Sequence, residues 1–147
     1  MNISTKGRYA VRALLDLSLN YKGTPILLRD IAKRQEISLA YLEQLISPLI
    51  KSGIIVSTRG SKGGIELARS PADIKLIEII TLLEGPILPV ECLNNPERCK
   101  RFSNCITTDI WAELKDSIIN FLEAITLQDL VERQIQKDQS CSTMYYI

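Results

Sequence analysis

Histidine is absent from this chain of 147 residues. Without it, Ser–His and Cys–His nucleophilic catalysis lack their general base. Long apolar runs are missing too. No stretch approaches the roughly 18 residues that span a bilayer, and Lys6 and Arg8 are not followed by an apolar segment with a small-residue cleavage site. A cytoplasmic protein is expected. In that reducing compartment the four cysteines point to metal, catalysis or burial rather than a disulfide framework. The length fits one domain of ordinary size.

The net charge of +1 hides an uneven distribution. Residues 1–70 hold 11 Lys and Arg against 5 Asp and Glu, a surplus of six, whereas residues 71–147 hold 7 against 12, a deficit of five. Such an asymmetry favours a polyanion-binding half joined to a half with another task.

In the basic half, Ser4 or Thr5 can cap a first helix whose apolar stripe is Tyr9, Ala10, Ala13, Leu14, Leu17 and Leu19, stopped by Gly23, Thr24 and Pro25. A short helix follows over Leu28–Gln35, with Ile31 and Ala32 inward and Arg29, Lys33 and Arg34 outward. After a turn at 36–38, Ser38 caps a third helix carrying Tyr41, Leu42, Leu45, Ile46, Leu49 and Ile50, and Gly53 ends it. Two helices joined this way make a helix-turn-helix pattern. The strands expected at 54–58 and 65–68, with the glycine-rich tip RGSKGG between them, add a β-wing that presents Arg59 and Lys62 where phosphates or a minor groove would lie.

Pro71 is expected to start a buried helix, with Ile74, Ile77, Ile79, Ile80, Leu82 and Leu83, that ends at Gly85-Pro86. Beyond it the segment ECLNNPERCKRFSNC (91–105) holds three of the four cysteines in a C-x6-C-x5-C spacing, in a stretch whose Asn94, Asn95 and Pro96 oppose regular structure. Soft thiolates at such spacing suit iron–sulfur chemistry, Zn or Cu(I). Thr107 or Thr108 can then cap a long helix, with Asp109 in its first turn and Trp111, Leu114, Ile118, Phe121 and Ile125 in a heptad-like seam expected to join two chains. Thr126 caps a short last helix over residues 127 to about 133, followed by a polar tail ending CSTMYYI.

The opening MNISTKGRYAVRALLDLSLN, the Ile31-Ala32, Ile37-Ser38 and YLEQL (41–45) core, the wing RGSKGG, EGP at 84–86 and TLQDL at 126–130 together resemble the winged-helix repressors that include IscR, CymR and NsrR. The likeness covers nearly the whole chain. It implies a mainly α fold with a small β-wing: a winged helix-turn-helix over 1–85, a cysteine-bearing cluster loop over 86–106, a dimerisation helix and short terminal helix over 107–134, and a flexible tail over 135–147. It implies a homodimeric transcription repressor, not an enzyme, on a palindromic double-stranded operator. Leu39, Ala40, Tyr41, Glu43, Gln44 and Arg59 are the positions the resemblance implies face DNA, and the cations Arg29 and Lys62 are added as expected DNA contacts; IscR usually has Ser where Ala40 stands.

The same resemblance implies a [2Fe–2S] cluster on Cys92, Cys99 and Cys105. The first spacing is one residue longer than in IscR, and Thr108 occupies the place of its histidine ligand. Cys141, a carboxylate such as Asp109 or Glu97, or an exogenous ligand are the alternatives for the fourth position. The NsrR route, a carboxylate near the N-terminus, is closed by Arg8. CymR is similar in the Val90-Glu91 segment after Gly85-Pro86 and in an aromatic-aromatic-Ile ending, which implies an alternative control in which Tyr145, Tyr146 and Ile147 enter cysteine synthase through a carboxylate-capture mode.

Overall fold

The computed structural model describes residues 2–145. Helix α1 (Thr5–Asn20) runs through the centre, capped by Ser4, whose side chain accepts from the Lys6 amide. Around it stand α2 (Leu28–Gln35), α3 (Leu39–Lys51), the antiparallel pair β1 (Ile55–Thr58) and β2 (Gly64–Leu67), and α4 (Leu76–Glu84). The acidic half adds α5 (Ile106–Glu123) and α6 (Leu127–Met144). This is the mainly α winged-helix architecture expected of the resemblance.

The main core follows from the apolar spacing of the first three helices. Leu14 and Leu17 of α1, Ile31 of α2, Leu42, Leu45 and Leu49 of α3 and Ile55 of β1 are all fully buried, joined by Ile74, Ile79 and Leu127. Leu127 enters that core because Thr126 caps α6 in a reciprocal capping box with Asp129, while the Leu127 amide donates to the Ile74 carbonyl at 2.8 Å. Truncating any of these leucines to Ala is worth roughly 2–5 kcal/mol. A smaller cluster of Ile80, Ile87 and Leu122, flanked by Ile118 and Ile119, seats α5 on α4.

Several sequence expectations need correcting. Pro71–Asp73 is a single 3-10 turn, and α4 begins at Leu76, because Ile74 is held extended by pairing with the 125–127 segment. Cys105, not Thr107 or Thr108, is the N-cap residue of α5, and Thr108 is buried in its first turn. Ile125 is buried beyond the end of α5 and leaves the seam; Ile106 and Ile110, at 74% and 52% exposure, join the exposed Trp111, Leu114 and Phe121 instead. Arg34 faces outward as expected, and it also pairs with Asp16. The last helix runs 18 residues to Met144 rather than stopping near Arg133. Its polar half has no breaker, and intrahelical bonds such as Gln134 to Asp138 at 2.8 Å and Ser140 to the Gln136 carbonyl at 2.9 Å accompany the extension.

Candidate DNA interface and thiol segment

The turn between α2 and α3 is made by Glu36, in the left-handed region at φ 55°, whose amide closes on the carbonyls of Ala32 and Lys33. Ser38 then opens α3, its hydroxyl accepting from the Tyr41 amide at 3.3 Å. This exposes Leu39, Ala40, Glu43 and Gln44 on the N-terminal half of α3, with Tyr41 half-buried among them.

A polar chain fixes the helix from behind. Tyr41 meets Tyr9 edge-on, ring centroids 6.1 Å apart, and the Arg12 guanidinium lies over Tyr9 at 5.1 Å. Arg12 donates to the Gln35 side chain at 3.2 Å and to its carbonyl at 2.5 Å, and Gln35 donates to Asp16 at 2.9 Å. Asp16 is buried and takes a forked pair from Arg34 at 2.6–3.1 Å, which holds the guanidinium pKa above its ordinary value. The turn and the third helix are therefore both anchored to α1.

The wing is anchored as firmly. Ile26 pairs with Ile65 through reciprocal backbone bonds of 2.9 and 2.8 Å, an extra bridge on the β2 edge that was not read from the sequence. A side chain at Gly64 would lie 2.5 Å from the Ile26 carbonyl oxygen, so this approach requires glycine. Arg59 and Lys62 project exposed from the tip, and Arg29 is exposed in the first turn of α2. None of these three cations forms an ion pair among the described residues.

After α4 the chain turns at Gly85 (φ 83°) into a segment whose regular structure is limited to three single 3-10 turns, Glu91–Leu93, Pro96–Arg98 and Phe102–Asn104. Cys92 lies within the first; Cys99 and Cys105 follow the second and third. All three are free and half-exposed. The Thr107 hydroxyl, 3.1 Å from the Cys105 sulfur, and then the Thr108 hydroxyl and amide lower that thiol from near 9 to about 7.

Three soft thiols, one readily ionised, suit an iron–sulfur or thiophilic metal in donor chemistry. In this conformation they are not gathered: among the described residues no group of three or more Cys, Asp or Glu side chains is close enough to hold a metal ion. Asp109 and Glu97 are exposed nearby in sequence, and Cys141 is exposed near the end of α6. Tyr145 is exposed at the end of α6, whereas Tyr146 and Ile147 lie outside the described residues.

Residues 3–133 match a sequence family described as "Rrf2: Iron-dependent Transcriptional regulator". The HTH-type transcriptional regulator IscR of Photorhabdus laumondii is 40% identical over 134 residues, 91% of this chain and 81% of that protein. Among solved structures, IscR of T. potens is 40% identical with a TM-score of 0.75, covering 91% of this chain and 88% of that one. CymR, the global cysteine regulator of B. subtilis, is 38% identical with a TM-score of 0.76, covering 90% and 98%.

Proposed function

The chain belongs to the Rrf2 family of transcriptional regulators, and from that premise we propose that it is a cytoplasmic homodimeric repressor that reads a palindromic operator and senses iron–sulfur status through a [2Fe–2S] cluster on Cys92, Cys99 and Cys105. Its membership makes it a DNA-binding transcription regulator rather than an enzyme.

The observation that carries the sensing half is three free, half-exposed thiols in a segment without extended regular structure, set between the DNA-reading half and α5. Such a segment can close on a ligand at little cost in broken secondary structure. When bound, the cluster supplies a group whose presence and charge follow iron, sulfide and oxidant supply. The chain's own part is to offer thiolates, with Cys105 readied by Thr107, and to hold the fourth position through Cys141, Asp109, Glu97 or an exogenous ligand. Gathering the thiols reorders the segment between Gly85 and α5, and so acts on both.

For DNA, the reading rests on the exposed edge of α3 beside wing cations that form no ion pair among the described residues. Glu43 and Gln44 are suited to cytosine and adenine edges, and Leu39, Ala40 and Tyr41 to apolar contact in the major groove. Arg59 and Lys62 at the wing, with Arg29, supply the sequence-independent attraction. The exposed apolar line of Ile106, Ile110, Trp111, Leu114 and Phe121 supports a second copy packed along α5, matching a two-fold operator.

The second reading is favoured by the fold match to CymR and by the exposed Met144 and Tyr145 that end α6. In it, the terminal residues from Tyr145 enter cysteine synthase and that complex controls DNA binding. A DNA-shift assay decides between them. Cluster-loaded and cluster-free protein should differ in affinity for a duplex selected by the protein from a random library, while cysteine synthase should leave it unchanged. The opposite pattern moves the assignment to the second reading.

A further inference from the structure

The first turn of α1 depends on a residue about 80 positions away. One carboxylate oxygen, Oε1 of Glu84, accepts from the Ser4 amide at 3.1 Å, the Ser4 hydroxyl at 2.6 Å and the Gly7 amide at 3.0 Å. Gly7 is buried, and a Cβ there would lie 2.6 Å from that same oxygen. The missing side chain is what admits the carboxylate. The Ser4 hydroxyl, followed by the two amides, accordingly holds the Glu84 carboxyl below its ordinary pKa.

Lys6 sits inside this turn. Its amide is taken by the Ser4 hydroxyl at 3.1 Å, which fixes its backbone, while its side chain is exposed and forms no ion pair among the described residues. Lys6 lines a groove with Tyr41, Gln44, Leu45 and Pro48 of α3 and Leu82 and Leu83 of α4. A cation with no local partner thus stands beside two residues of the base-reading edge. Glu84 attracts it electrostatically but forms no ion pair with it among the described residues.

We propose that Lys6 is a further operator contact, made to a backbone phosphate flanking the bases faced by Tyr41 and Gln44, and that Glu84 is the positioning residue that seats the turn carrying it. The proposal rests on the DNA-binding reading above. It adds α1 to the footprint of α3 and the wing, and it gives the acidic half a hold on that footprint, because Glu84 is the last residue of α4 before the Gly85 turn into the thiol segment. A flexible lysine suits this place better than a base-reading side chain would, since a phosphate asks for charge and not for a fixed donor pattern.

The test measures affinity against salt for the full chain, on a duplex the parent selects from a random library and on a scrambled duplex. Lys6→Gln should lower affinity for both by a similar factor, on the order of tenfold at low salt, and reduce the slope of log K against log salt by about 0.9, the share of one phosphate. Glu84→Gln, and Gly7→Ala as a second variant that keeps the carboxylate but displaces it, should each weaken binding in the parent and much less in the Lys6→Gln background. Melting curves confirm that the variants compared are folded. Parental affinity and slope in folded Lys6→Gln overturn the contact; equal losses from Glu84→Gln in both backgrounds overturn its positioning role. A parent that enriches no duplex from the library overturns the DNA-binding reading itself.

Discussion

Removing Arg34 should cost the fold more than removing the charge of its partner, although Arg34 lies nearer the surface. Asp16 has 3% of its side chain exposed and Arg34 39%. Arg34→Met strands a buried carboxylate with Gln35 as its one remaining side-chain donor, at 2.9 Å. Breaking a buried pair from one side costs about 3–5 kcal/mol, and the water that reaches the rim here reduces that to about 2–3. Asp16→Asn instead leaves a guanidinium free to turn to water and keeps an acceptor in place, for about 1–1.5 kcal/mol. At roughly 2–4 °C per kcal/mol for a chain of this size, the melting temperature should fall by about 5–10 °C in the first variant and 2–5 °C in the second. The double variant should cost less than the sum by about 1–2 kcal/mol. Thermal unfolding of the four proteins at pH 7, with reversibility checked, measures all of this. A greater loss from Asp16→Asn than from Arg34→Met, with additive costs in the double variant, would show that the buried carboxylate does not depend on Arg34.

Glu36→Gly should be neutral or stabilising by up to about 1 kcal/mol, because the left-handed φ of 55° that strains a side chain suits glycine; a clear loss in thermal unfolding would contradict this. In metal-free protein, iodoacetamide should label Cys105 with a half-maximal rate near pH 7, since its lowered pKa places the thiolate there, and Thr107→Val should move that midpoint upward. A midpoint unchanged by the substitution would remove the hydroxyl's role. Phe121, 63% exposed, lies on the apolar line of α5, and the proposed pairing along that line predicts a parent that sediments as a dimer and a Phe121→Lys variant that sediments as a monomer in analytical ultracentrifugation.

Several locally determined features agree between sequence and fold. Ser38 as cap, the apolar spacing of 42–49 and the RGSKGG tip were each readable from residues a few positions apart, and each stands where its pattern implies. What escaped sequence reading is held by distant partners. Glu84 under Gly7, Ile26 against Ile65, and Asp16 gathering Arg34 and Gln35 join residues with no periodic signature, and each became visible only in three dimensions. The extent of α6 was missed for another reason. Its polar half carries no apolar stripe to announce a helix, only intrahelical side-chain bonds and the absence of a breaker. The thiol segment was legible in its donors and spacing, but not in its geometry, because Asn94, Asn95 and Pro96 favour single turns whose arrangement follows what they enclose.

Anaerobic purification followed by the visible spectrum and by iron and sulfide analysis, on the parent and on Cys92→Ala, decides whether these cysteines hold a cluster. The parent should absorb in the visible range and carry iron and inorganic sulfide in equal amounts, and the variant should lose both. A colourless parent, free of iron and sulfide after reconstitution yet still binding DNA, would contradict the sensing role given to Cys92, Cys99 and Cys105.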